Sequence, residues 1–205
     1  MASSMSGCVA VLVSGGGTNL QALLDDPAVA PSIALVVSDR PGVKALARAA
    51  DSAVASAVVE PAAFPDKNAW EAALLGTFLA HEVDTLVSAG WMRLLSGTVI
   101  DAFPGRVLNV HPALLPAFPG MHGVADALAY GVKVTGVTVH LMDEGTDTGP
   151  IVLQEAIEVR EDDDWDSLEP RVHAVEHRLL PRAVRALLEG RLTVEGRLVR
   201  IREDA

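Results

Sequence analysis

The run Asn109-Val110-His111-Pro112-Ala113-Leu114-Leu115-Pro116 places an amide and an imidazole two residues apart, just after the apolar pair Val107-Leu108. On an extended chain, residues two apart point to the same side, so Asn109 and His111 can aim at one bound group. An amide N–H stabilises negative charge forming on an oxygen, and an imidazole moves a proton near neutral pH. Pro112 cannot donate to a central ladder, which puts His111 at a strand's carboxyl end. That is the edge where open parallel sheets bind ligands. A lone histidine beside a proline turn would read as one satisfied by backbone; Asn109 next to it makes a reactive centre the better reading.

A carboxylate near a histidine orients the ring and favours its protonated form. The loop Asp143-Glu144-Gly145-Thr146-Asp147-Thr148-Gly149-Pro150 could be an ordinary connection, or it could supply that carboxylate as Asp147. Local sequence does not place Asp147 beside His111. His140 alternates within an extended run, and its role is left open. His81 and His177 fall on expected helices and read as surface or packing residues. No histidine spacing suggests a metal site.

Two loops complete the candidate chemistry. Ser14-Gly15-Gly16-Gly17-Thr18-Asn19 joins a strand to a helix. Its glycines can turn N–H groups inward, and a helix N-terminus adds donors, so the loop could cradle a phosphate. It fits neither the P-loop nor the dinucleotide pattern, and a tight turn with Thr18 as the helix N-cap remains the alternative. Gly90-Trp91-Met92-Arg93-Leu94-Leu95 follows another apolar run; it could be core, or it could line a pocket for a flat heterocycle.

The elements that must position these groups alternate. Strands are expected at 9–13, 33–37, 53–59, 85–89 and 107–110, and helices at 19–24, 43–50 and 67–81. This alternation predicts an α/β fold with a mostly parallel, doubly wound sheet and helices on both faces. Longer extended runs at 134–142 and 151–159 follow, then a long C-terminal helix over 168–188 and a short hairpin-like tail at 191–205. Residues 1–7 are expected to be flexible. The run Glu161-Asp162-Asp163-Asp164 reads as a solvated cluster at a helix start.

Composition bounds the rest. With 205 residues, half of them hydrophobic, the chain suits a single domain. The balance of 16 basic and 27 acidic residues, a net charge of −11, argues against nucleic acid as a partner. An anionic substrate must then be held locally, against the overall field. The single cysteine, Cys8, excludes an internal disulfide framework and reads as a core thiol. No signal peptide or membrane span is apparent, so the cytoplasm is the expected compartment.

Taken together, Ser-Gly-x-Gly-Thr-Asn at 14–19, Ala-Gly-Trp-Met-Arg-Leu-Leu at 89–95, Asn-Val-His-Pro-Ala-Leu-Leu-Pro at 109–116, Val-Thr-Gly-Val-Thr-Val-His at 134–140 and Asp-Thr-Gly-Pro-Ile at 147–151 resemble the phosphoribosylglycinamide formyltransferases of the folate-dependent formyltransferase family. The likeness runs from about residue 9 to 190. It implies a Rossmann-like formyltransferase fold and formyl transfer from 10-formyltetrahydrofolate, as co-substrate, to the glycyl amine of glycinamide ribonucleotide in purine biosynthesis, without a metal. It further implies that Asn109, His111 and Asp147 are catalytic. Gly17, Thr18 and Asn19 would hold the nucleotide phosphate, and His173 and Glu176 would touch the ribonucleotide. Met92, Arg93, Leu94 and Leu95, with Asn109 and the loop Asp143, Glu144, Gly145, Thr146 and Asp147, would form the folate site. Lys67 falls where relatives carry a folate-side arginine; it keeps the charge and loses the bidentate fork. Relatives occur as monomers and as homodimers. Three other readings compete. Formylation of initiator tRNA is disfavoured by the acidic charge and the absence of an RNA-binding domain. A formyltetrahydrofolate hydrolase would need an added N-terminal domain. A catalytically dead binding module is disfavoured by the intact Asn109, His111 and Asp147.

Overall fold

In the computed structural model, which describes residues 7–202, the alternating apolar runs form the first half of a nine-stranded sheet. The strands are β1 (Val9–Val13), β2 (Ile33–Ser38), β3 (Ala55–Val58), β4 (Thr85–Ser88), β5 (Val107–His111), β6 (Val134–Leu141), β7 (Ile151–Glu158), β8 (Leu192–Glu195) and β9 (Leu198–Ile201). Their spatial order is β3-β2-β1-β4-β5-β6-β7-β9-β8. Pairing is parallel from β3 through β5 and turns antiparallel at β5–β6 and β6–β7. The strand order reverses direction between β1 and β4, so the crevice at their carboxyl ends is where this architecture binds ligands. The glycine loop leaves β1 there, and the 90–95 segment leaves β4.

Among the described residues six α-helices cover the sheet: α1 (Thr18–Leu24), α2 (Lys44–Asp51), α3 (Lys67–Ala80), α4 (Gly97–Asp101), α5 (Gly123–Tyr130) and α6 (Trp165–Leu188). Strand periodicity assigns them to layers. Val9, Val11 and Val13 face Leu20, Leu23, Ala45 and the buried stripe of α6. Ala10 and Leu12 face Trp70, Leu74 and Phe78 of α3 and Val99 of α4. Both faces of β1 are covered, which explains its unbroken apolar run. Each large side chain buried this way contributes about 1.5–3 kcal/mol relative to an exposed one.

Several expectations shift in detail. α6 starts at Trp165 rather than 168, because Asp164 and Ser167 close a capping box. The acidic run is therefore a cap, and within it Asp163 is bonded to the Arg160 N–H, Ser167 and Arg171. Helix α1 starts one residue early, with Gly17 and not Thr18 as its N-cap, at φ 71°. Cys8 is half-buried outside β1, its thiol donating to the His81 carbonyl at the end of α3; it is not a core thiol. The expectation of flexibility at 1–7 falls on residues outside those described, apart from Gly7. Gly7 is packed, since a Cβ there would lie 2.3 Å from Leu188 Cδ2.

Candidate active site at the carboxyl end of β5

Antiparallel pairing of β5 with β6 sets Asn109 opposite His140 and His111 opposite Thr138. The Asn109 Nδ2 donates to His140 Nε2 at 3.1 Å and reaches Asp147 Oδ1 at 3.3 Å. His140 Nδ1 lies 2.9 Å from the Leu141 carbonyl, which only a protonated nitrogen satisfies, so Nε2 is the acceptor. By the same logic His111 Nε2, 2.7 Å from the Phe118 carbonyl, carries a proton, and Nδ1 faces Asp147 Oδ2 at 3.5 Å. The Asp147 carboxylate also accepts from Gly120 N at 2.7 Å.

Burial pushes the His111 pKa below its usual value, outweighing the Asp147 charge and the Phe118 carbonyl, which raise it. The ring is therefore neutral at rest, not protonated as Asp147 alone would make it. Burial works to raise the Asp147 pKa, yet its hydrogen-bonding neighbours, the Gly120 N–H among them, hold it below the ordinary carboxylate value. Two non-glycine residues here adopt left-handed backbone, Phe118 at φ 52° and Asp147 at φ 53°. Such strain persists only where surrounding structure imposes it and gathers at functional sites.

The glycine loop is shaped from behind by α2. Ala45 N donates to the Gly15 carbonyl at 3.2 Å, and Arg48 Nε donates to the Gly16 carbonyl at 2.9 Å. With those carbonyls engaged on the α2 side, the loop's N–H groups are free to turn the other way. Gly17 could carry no side chain: its φ is left-handed, and a Cβ would lie 2.7 Å from that of Ala45. Asn19 Nδ2 donates to Glu176 Oε2 at 3.0 Å, and His173 Nε2 stands 3.8 Å from the same oxygen. Burial raises the Glu176 pKa against the Asn19 bond and His173, which lower it. A cleft of about 640 Å³ opens beside the loop, with Thr18, Arg48, Arg178 and Arg182 on its wall along with Asp25 and Asp26. Of these cations, Arg178 is paired with Glu155 and Arg48 is bonded to the Gly16 carbonyl and Gln21.

On the far side of the crevice, Met92 and Leu94 are exposed while Trp91 and Leu95 are buried. Leu95 belongs to the core on the α3 face, so only its backbone is available to a ligand. Trp91 stacks on Trp70 with centroids 6.1 Å apart. Glu71 of α3 accepts from the Ser96 N–H at 2.7 Å and from its hydroxyl, and Lys67 reaches Glu71 at 3.6 Å. Lys67 thus stands at the rim of the 91–96 segment, paired with a carboxylate. Glu144 of the 143–147 loop comes close to Gly97, where a Cβ would lie 3.1 Å from its Oε1. Asp143 is used within its own loop, accepting from Gly145 N at 3.1 Å and the Thr148 hydroxyl at 2.6 Å.

A formyl transferase family profile matches residues 8–184. The chain belongs to the formyl transferase family. It is 51% identical over 191 residues to the phosphoribosylglycinamide formyltransferase of Mycobacterium tuberculosis, an alignment that covers 91% of this chain and 87% of the relative. Its structure superposes on the glycinamide ribonucleotide transformylase 1 of Symbiobacterium toebii with a TM-score of 0.94 and 46% identity, covering 98% and 96% of the two chains. A formyltetrahydrofolate deformylase from Pseudomonas syringae is also similar, with a TM-score of 0.86 and 26% identity over 95% of this chain and 65% of that one.

In this formyl transferase the structure brings Asn109, His111 and Asp147 together, and Gly17–Asn19 with His173 and Glu176. The sequence reading left three participants without a role: His140, the Phe118 carbonyl and the Gly120 N–H. His140 had a visible signal, because Thr138 and His140 repeat the two-residue spacing of Asn109 and His111. The other two act through backbone, and no side-chain pattern announces them. Among the described residues no cluster of histidine, cysteine and carboxylate groups could hold a metal, and no helix is long and apolar enough to cross a membrane.

Proposed function

We propose that the chain, acting in the cytoplasm as a single catalytic domain, transfers the formyl group of 10-formyltetrahydrofolate to the glycyl amine of glycinamide ribonucleotide. The observation that carries this reading is the closed Asn109–His111–His140–Asp147 cluster, set at the carboxyl end of β5 beside a glycine loop braced by α2. The phosphate binds the N–H groups of residues 15–19, and the ribose hydroxyls meet Glu176 and His173. The folate ring lies between residues 92–95 and the 143–147 loop, reading backbone as much as side chain, with Lys67 at the rim.

The amine nitrogen attacks the formyl carbon, forming the C–N bond while the C=O electron pair moves onto oxygen. One Asn109 N–H donates to that oxyanion. Its 3.3 Å bond to Asp147 is the longer of its two and is the one exchanged. The amine proton passes to His111, neutral beforehand and paired with Asp147 once charged. As the oxyanion's electron pair re-forms the C=O bond, the C–N10 bond breaks, and N10 takes up the proton that His111 received from the amine.

The test incubates the purified protein with a 10-formyl-dideazafolate donor and glycinamide ribonucleotide, following absorbance. Turnover that requires the ribonucleotide supports the reading. Equal donor loss without it would point to the deformylase activity of the Pseudomonas syringae relative, and no donor loss at all would refute catalysis.

A further inference from the structure

At the carboxyl end of β2, Asp39 buries a carboxylate whose side chain is fully shielded from solvent. It accepts from Arg93 Nε at 2.7 Å and from Arg40 at 3.1 and 3.2 Å. Burial raises its pKa, while Arg40, Arg93 and the nearby Ser14 hydroxyl lower it. Ser14 Oγ accepts from Met92 N at 2.9 Å, and Ser14 N donates to the Gly90 carbonyl at 3.0 Å. Met92, bonded to Ser14, and Arg93, bonded to Asp39, are consecutive residues of one segment. Ser14 is the first residue of the glycine loop, and Met92 and Arg93 begin the exposed 92–94 segment. Nothing in the transfer chemistry calls for a carboxylate here. A buried charge is costly unless it is paired, and this one is paired across strands with Arg93, next to the Met92 that Ser14 holds.

We propose that Asp39 is a positioning residue that fixes the separation of the glycine loop and the 92–95 segment, and with it the approach of amine to formyl carbon. The inference rests on the formyl transfer reading. Its energetic basis is proximity: a misplacement of about 1 Å costs on the order of 10²-fold in rate, although each ligand still binds. Arg40 and Arg93 are close to half exposed. Removing the carboxylate therefore leaves them solvated, and the damage stays local.

The experiment compares the parent and Asp39→Ala for three ligands: a non-formylated folate analogue, the ribonucleotide, and a non-reacting compound joining the two through the transferred carbon. In Asp39→Ala the joined compound should weaken about 10²-fold, while each separate ligand changes by less than about threefold. Asp39→Asn keeps an acceptor oxygen for Arg93 and should recover most of the loss. A purely structural role would lower the active fraction and leave all three affinities of the folded molecules unchanged. Ser14→Ala removes the Met92 N–H acceptor on the glycine-loop side of the same segment and should show the same split if Asp39→Ala does not fold. A joined compound that weakens no more than the product of the separate losses would overturn the proposal while leaving formyl transfer intact. A parent that binds none of the three would overturn both.

Discussion

His111 stands neutral at rest, 3.5 Å from a carboxylate that would welcome its charge. Asp147→Asn removes the influence that raises the His111 pKa, so the acid limb of kcat/KM should move to lower pH while turnover falls. A profile identical to the parent at every pH would disprove the coupling. Asn109→Ala should cut kcat by about 10²-fold or more with small changes in KM, because the bond it supplies strengthens only as charge develops. Gly17→Val tests the other substrate. Its Cβ meets Ala45, and its φ is unfavourable, so the loop must move. The KM for ribonucleotide should rise steeply and that for the folate donor little; equal effects on both would refute a phosphate role. Asn109 and His111 were legible as a pair because they stand two residues apart on one short strand and share a face. The Asp147 contact was not, since it depends on the path of a loop 36 residues further on in a chain whose local pattern also suits an ordinary turn.

Elements give the site its rigidity chiefly where β5 meets β6. Thr138, fully buried, donates to the Ala113 carbonyl at 2.7 Å and accepts from Leu115 N at 3.1 Å and Gln154 Nε2 at 2.9 Å. It ties the chain after His111 to the sheet, and the Phe118 carbonyl and Gly120 N–H follow along that chain. Thr138→Val keeps the shape but strands a buried N–H and C=O, which costs about 1–3 kcal/mol. Thermal melts should show that loss, with turnover falling alongside; an unchanged midpoint would contradict the anchor. Strands β1, β2, β4 and β5 could be read from sequence because burial on both faces leaves continuous apolar runs. Helices α4 and α5 could not. Each begins at a glycine, Gly97 and Gly123, and neither is long enough to show a helical period. Gly123 is required by close approach, since a Cβ there would lie 2.9 Å from the Pro112 carbonyl. The start of α6 was missed because its cap lies in a run of carboxylates, where the one that caps cannot be told from its neighbours.

For the whole molecule, acid should be the destabilising direction. Neighbours hold Asp39, Asp84 and Asp147 below the ordinary carboxylate pKa, and burial holds His111 below the ordinary histidine value. A depressed folded pKa gives stability that is present above the unfolded value and lost as pH falls. The loss should begin below about pH 6.5 with His111 and deepen below about pH 4 with the aspartates. Glu176 is shifted up and opposes the trend. Melting temperatures followed from pH 7 to pH 3 should fall, and Asp39→Asn should flatten the lowest part of the curve. The bonds that join α1 and its flank to α6 have a further consequence. Asn19–Glu176 and Asp26–Arg185 join residues 157 and 159 positions apart. On a ribosome the glycine loop emerges early, but its carboxylate partner is still unmade until α6 is translated. A nascent chain can therefore assemble β1 through β5 before the proposed nucleotide seat is finished, and any stabilisation by that proposed ligand arrives only with α6.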